Sequence, residues 1–260
     1  MDLLNHIGVR CEAGRRSDQR ALAAMALFAI LAVVTPAATQ ATDCPTAREP
    51  RIPPSEEPAI NIEMHKKQLI AYQAGNYNDD IKLVLADARG YLEQRAGQVR
   101  KPAIVLDIDE TSLSNWQNIK ANNFGFIKGG PCSEEPNLAC GFDEWILKAS
   151  APAIQPTLEF FKSAIVKNVA VFFITGRRDS QRRATLWNLD SVGFQGWTRL
   201  STRPDDDHNV TIVPYKSGER KKIENENYTI IGNVGDQQSD LDGGSAECTF
   251  KIPNPFYFVK

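Results

Sequence analysis

The chain has 260 residues, 42% of them apolar and 24% charged, which is ordinary globular usage and excludes a disordered or fibrous protein. Lys and Arg number 30 against 32 Asp and Glu, a formal charge of −2, so there is no basic excess to meet the phosphates of a nucleic acid. The three histidines, His6, His65 and His208, are too few for a histidine-rich zinc or di-metal centre.

Arg15, Arg16 and Arg20 precede 14 apolar residues over 21–34, and the small residues Thr35, Pro36, Ala37, Ala38, Thr39 and Ala41 follow. A basic start, an apolar run and a small-residue exit are the three parts of a secretory signal, and the run is shorter than the roughly 20 residues that a bilayer span needs. The expectation is a signal peptide over 1–41 and a single domain over 42–260, periplasmic or secreted, with no stable membrane span after cleavage. Loss of 1–41 removes Cys11 and leaves Cys44, Cys132, Cys140 and Cys248, an even number that favours disulfides in an exported chain. Cys132 and Cys140 could close a loop, and Cys44 with Cys248 would then tie the ends together, but four cysteines allow three pairings and sequence does not choose among them.

Beyond the Pro-rich 42–58 stretch, residues 60–74 and 77–96 read as helices; in the second, Ile81, Leu83, Val84, Leu85, Ala88, Tyr91 and Leu92 recur near a 3.6-residue period. Residues 103–106 form a short apolar run of the kind seen in parallel strands covered on both faces. The stretch 112–150 reads as irregular, then a helix over 157–167, a buried strand over 169–174, and a helix over 179–192 capped by Asp179 or Ser180. A strand over 197–201, a charged helix over 216–226, a strand over 228–231 and a last strand over 249–252 complete the chain. Alternating strands and helices predict an α/β fold, a Rossmann-like parallel sheet flanked by helices, in which ligands bind at the carboxyl ends of the strands. Residues 58–98 and 112–150 are expected to form a small helical and loop lid over the mouth of the site. Within it Trp116, Phe124, Phe126, Phe142 and Trp145 are expected to pack the lid, with stacking on a nucleoside or aryl group as the alternative, whereas Trp187 and Trp197 are expected in the core.

Groups suited to phosphate follow the strands. Asp107-Ile108-Asp109-Glu110-Thr111 follows the first, and a carboxylate nucleophile beside a proton-shuttling carboxylic acid is what an aspartyl-phosphate mechanism needs. Thr175-Gly176-Arg177-Arg178 follows the second and offers a hydroxyl, close backbone approach and a guanidinium. Lys216 is expected at the start of a helix, where a cation and free N–H groups favour an anion. Gly232-Asn233-Val234-Gly235-Asp236-Gln237-Gln238-Ser239-Asp240 follows the third clear strand, with Asp236 and Asp240 as oxygen ligands suited to Mg²⁺. Each piece alone is a common turn or cap; their order is what carries weight.

In that order the four segments resemble the four motifs of the haloacid-dehalogenase-like superfamily, nearest its acid phosphatase branch (subfamily IIIB), which includes bacterial class B and class C acid phosphatases and plant acid phosphatases related to vegetative storage proteins. The segment 250–257, Phe-Lys-Ile-Pro-Asn-Pro-Phe-Tyr, is similar to the C-terminal tail of the plant-type members. The resemblance covers roughly 58–260 and implies a role for each matched residue. Asp107 would be the nucleophile. Asp109 would be the general acid and then the base. Thr175 and Lys216 would hold phosphate oxygens, with Gly176 and Arg177 at the substrate. Mg²⁺ would be held by Asp107, the Asp109 backbone carbonyl and Asp236, with Asp240 a ligand through water or a partner of the ligands. The implied activity is an exported, Mg²⁺-dependent acid phosphatase acting on a small phosphate monoester, nucleotides included. Asp109 must carry a proton when substrate binds, which predicts activity in mildly acidic solution. The alternative is a catalytically weak storage or binding protein on the same fold, because some plant storage relatives replace the nucleophilic aspartate; here Asp107 is present.

Overall fold

The computed structural model describes residues 44–45, 47–54, 61–133 and 139–259, so the expected signal segment 1–41 lies outside the described residues. Chain order is α1 (Ile62–Ala74), α2 (Tyr77–Arg95), β1 (Pro102–Leu106), α3 (Trp116–Ala121), α4 (Phe142–Leu147), α5 (Gln155–Val166), β2 (Ala170–Arg178), α6 (Arg182–Ser191), β3 (Arg199–Arg203), α7 (Val213–Asn225), β4 (Thr229–Gly235), α8 (Gln238–Leu241) and β5 (Cys248–Lys251). The five strands form one parallel sheet in the order β3-β2-β1-β4-β5. The expected α/β architecture is therefore present.

Period-two alternation along each strand divides the core in two. Ile104, Leu106, Val171 and Phe173 face the larger cluster, where α2 and α5 contribute Ile81, Leu85, Phe160 and Phe161. Ala103, Val105, Phe172 and Ile174 face the other side, against Ile223 of α7 and Ile230. Burial on both faces explains why β1, β2 and β4 read as continuous apolar runs. The chain builds outward from β1 to β2 and β3 on one side and to β4 and β5 on the other, so β1 stands where the winding reverses. Open α/β sheets hold their ligands at such a point, beyond the carboxyl ends of the strands. Leu106 pairs with Phe173 and with Val234. That register brings Asp107, Thr175 and Asp236, each one or two residues further on, to a common edge.

Several boundaries depart from the sequence reading. The 112–150 stretch holds two short helices, α3 and α4, each six residues, too brief for a 3.6-residue period to show. Strand β2 continues through Arg178, so Thr175–Arg178 is strand rather than a turn. A single 3₁₀ turn spans Asp179–Gln181 and α6 begins at Arg182; neither Asp179 nor Ser180 caps it, since Asp179 accepts from the Thr202 hydroxyl and the Ser180 N–H donates to Asp205. Helix α7 begins at Val213, three residues before Lys216, because Pro214 suits a first helical turn, where its missing N–H costs nothing. Within 58–98, α2 packs against α5, β4 and β5 as a flanking layer of the core. Trp187, expected in the core, is 70% exposed on the outer face of α6, whereas Trp197 packs edge-on to Phe173 at 6.2 Å. Trp145 is 1% exposed, while Phe126 is 77% exposed and meets Phe142 at 5.8 Å, so the lid aromatics divide between inside and outside.

Two disulfides form, Cys44–Cys248 and Cys132–Cys140, the loop-and-ends pairing among the three allowed. Among the described residues no helix is long and apolar enough to cross a membrane. Phe173 lies at the centre of the larger core, fully buried and in ring contact with Phe161, Phe194 and Trp197. Phe173→Ala is expected to lower stability by about 3–5 kcal/mol, read from the midpoint of denaturant unfolding; a loss below about 1 kcal/mol would contradict this packing.

Candidate active site

Asp107 leaves β1 with its N–H donating to Val234 O at 3.0 Å, so its backbone is still held by β4. The chain then turns sharply: Thr111, Ser112 and Leu113 N–H groups all point at Ile108 O, and Ser112 Oγ donates to Asp107 O at 2.7 Å. Glu110, at the bend, takes φ +52°, a left-handed conformation unusual for a side-chain-bearing residue. The turn fans the two aspartates apart rather than pointing them together.

Asp107, Asp236 and Asp240 are all buried, and each offers an oxygen that lies within 4.8 Å of the others. Lys216 Nζ donates to Asp107 Oδ1 at 2.5 Å and to Asp240 Oδ1 at 2.6 Å. Asp236 is held by Thr111 Oγ1 at 3.0 Å and by Gln237 Nε2 and Asn254 Nδ2, each at 2.7 Å. Asp240 Oδ2 accepts the Gln237 N–H at 2.9 Å, and a Cβ added to Gly235 would lie 2.5 Å from the Asp240 Cβ, so only glycine lets this carboxylate come so close. Arg220, fully buried, donates to the backbone carbonyls of Asp240, Asp242 and Gly244 and fixes the loop after α8 from behind.

With all three ionised, three carboxylates against one ammonium would leave two uncompensated negative charges. Burial pushes the Asp107 carboxyl well above the usual range; Lys216 opposes this, while Asp240 and Asp236 add to it. Burial, then Asp240, pushes Asp236 up to about 6. Burial disfavours the Lys216 ammonium, but Asp107 and Asp240 outweigh it and hold its pKa above the ordinary value. Hard oxygen donors with two excess negative charges fit a divalent cation such as Mg²⁺. The Asp109 carboxylate has partners outside this group. Its Oδ1 accepts from Arg177 Nη2 at 2.7 Å and Asn115 Nδ2 at 2.9 Å. Arg177 thus pairs with the second aspartate, while Thr175, fully buried, accepts the Arg177 N–H on its Oγ1 at 3.1 Å and Gly176 is exposed between them.

Sequence reasoning missed the residues that hold these groups: Glu110, Thr111, Asn115, Arg220, Gln237, Asn254 and Tyr257. Glu110 is buried, receives the Asn115 N–H at 2.5 Å, Asn115 Nδ2 at 2.9 Å and the Tyr257 hydroxyl at 3.1 Å, and belongs to a network rather than to the acidic edge. The Pro-Asn-Pro segment at 253–255 was a visible signal, since prolines rigidify the arm that carries Asn254. Burial, opposed by the Asn115 hydrogen bond and reinforced by Asp109, raises the Glu110 pKa from 4.5 to about 8. The native state therefore holds this proton where an unfolded chain has released it, and folding loses stability as pH rises from 4.5 toward 8. Glu110→Gln is expected to lose less of its thermal midpoint than wild type between about pH 5 and about pH 8, measured in chelator; an equal loss would contradict the assignment.

Residues 50–260 match the family described as HAD superfamily, subfamily IIIB (Acid phosphatase). Acid phosphatase 1 of Solanum lycopersicum is 34% identical over 72% of this chain and 72% of its own length. Stem 28 kDa glycoprotein of Glycine max is 32% identical over 71% of this chain and 70% of its own, and vegetative storage protein 2 of Arabidopsis thaliana is 30% identical over 60% and 56%. Among solved structures the class C acid phosphatase from Bacillus anthracis shares the fold, with a TM-score of 0.56 at 24% identity over 74% of this chain and 86% of that one. With its five-stranded parallel sheet and its buried acids ranged along one edge, the chain belongs to the acid phosphatase family of the haloacid-dehalogenase-like superfamily, subfamily IIIB.

Proposed function

We propose that this chain is an exported, Mg²⁺-dependent phosphomonoesterase that works through an aspartyl-phosphate on Asp107. The observation that carries the reading is the convergence of Asp107, Asp236 and Asp240 around the single buried ammonium of Lys216. Asp107, Asp236, Asp240 and the Asp109 backbone carbonyl would hold Mg²⁺. Bound there, the ion supplies positive charge where an anionic nucleophile must meet an anionic ester. Lys216 lowers the same repulsion from the protein side, and preorganised charge is worth more in such a buried site than in water.

The chemistry of the chain's own groups then balances. An Asp107 carboxylate oxygen attacks phosphorus as the bond to the ester oxygen breaks, and Asp109 gives that oxygen a proton. The alcohol departs. Asp109, now ionised, takes a proton from water as the water oxygen attacks phosphorus; the acyl-phosphate P–O bond breaks, and phosphate and the Asp107 carboxylate are restored. Thr175, Gly176, Arg177 and Lys216 line the phosphoryl position at the ends of β2 and α7. The substrate class is a small phosphate monoester, nucleotides among them. The two disulfides support an oxidising compartment and hence export.

A storage role is the alternative raised by the resemblance to vegetative storage protein 2. The intact Asp107–Lys216 pair favours the enzyme. Asp107→Asn decides between them: turnover of an aryl phosphate is expected to fall by roughly 10³-fold or more. Equally poor turnover by wild type and variant would end the enzyme reading. Exhaustive chelation is expected to cost on the order of 10²-fold, restored by Mg²⁺; unchanged turnover after metal removal would contradict the cation's part.

A further inference from the structure

Asn115 precedes α3 at the position where an asparagine side chain ordinarily accepts a helix N–H, yet it makes no such cap. Its side chain is spent elsewhere. The two amide protons of Nδ2 go to Asp109 Oδ1 and to Glu110 Oε2, each at 2.9 Å, and Oδ1 accepts the Trp145 indole N–H at 2.8 Å. Asn115 is fully buried. An indole N–H can only donate, so it fixes which end of the amide is oxygen and obliges the NH₂ end to face the two carboxylates. Trp145 is itself anchored: α4 is short, but its Asp143 accepts Gln181 Nε2 at 2.8 Å from the turn that follows Arg178. Arg177 holds Asp109 from β2, with Nη2 at 2.7 Å on Oδ1 and Nε shared between Oδ1 at 3.1 Å and Oδ2 at 3.2 Å. The shorter bonds from both sides converge on Oδ1, and Oδ2 keeps one longer bond, from Arg177 Nε.

We propose that Asn115, with its amide oriented by Trp145, is the positioning residue that aims Asp109 at the leaving-group oxygen. The proposal rests on the reading of Asp109 as general acid. It makes the 112–150 stretch part of leaving-group protonation rather than only a cover, because the indole that orients Asn115 comes from α4. General acid assistance matters most where the departing alcohol is a poor leaving group, and little where it departs as a stable anion. A positioning defect and a folding defect therefore give different patterns.

The test compares kcat/KM of the full chain, with Mg²⁺, for an alkyl phosphate and for 4-nitrophenyl phosphate; this parameter reports the first transfer, to Asp107, and isolates the acid role. Asn115→Ala is expected to lose about 10–100-fold on the alkyl ester and about threefold or less on the nitrophenyl ester. Trp145→Phe removes the orienting N–H and leaves a smaller aromatic ring in its place; its packing loss falls equally on both esters, so the same ester-dependent pattern at smaller size is expected even should Asn115→Ala not fold. In an Asp109→Ala background, Asn115→Ala is expected to add nothing on the alkyl ester. Equal losses on both esters, or full additivity with Asp109→Ala, would overturn the positioning role while leaving the phosphatase reading intact. Wild type inactive on both esters would instead remove that reading, and this proposal with it.

Discussion

One ammonium among three buried carboxylates is the constraint on which the site depends. Lys216 touches Asp107 and Asp240 at once and so links the end of β1 to α8. Buried charges survive only when paired and fully hydrogen-bonded, because desolvation otherwise exceeds the attraction. Here one ammonium does not balance the acids, and surplus negative charge is the property that a divalent cation can use. What is costly for folding is thus useful for chemistry, and the large core under the sheet must offset it.

The sheet supplies the positions. Parallel register sets β1, β2 and β4 so that their C-terminal residues arrive at a common edge, and the reversal of winding at β1 leaves that edge open. The supports are less regular. Arg220 reaches in from α7 to hold backbone carbonyls around Asp240, and Gly235 yields space that any side chain would fill. The two aspartates of the first turn find different partners, Asp107 at Lys216 and Asp109 at Arg177.

Apolar runs at β1, β2 and β4 and the period of α2 were legible because burial on a face leaves a regular pattern. Asp107, Thr175, Lys216, Asp236 and Asp240 were legible because each follows or abuts such an element and their order is distinctive. Trp187 was not: an amphipathic helix tolerates one large exposed ring, and nothing in sequence separates it from a buried one. The beginning of α7 was obscured by Pro214, which reads as a break in sequence and serves as a first-turn residue in space. Asn115 and Tyr257 were illegible for a different reason. Their partners Trp145 and Glu110 lie 30 and 147 residues away, and no local pattern encodes a hydrogen bond across the fold.

The tail has a consequence for how the molecule comes into being. Asn254 steadies Asp236 and Tyr257 reaches Glu110, while the neighbouring β5 is tethered to the N-terminal arm through Cys44 and Cys248. Synthesis proceeds from the N-terminus, so Asp107 emerges long before the groups that complete its surroundings. A nascent chain would carry Asp107 in an unfinished setting, and its surroundings would be complete only once the segment after β5 has docked.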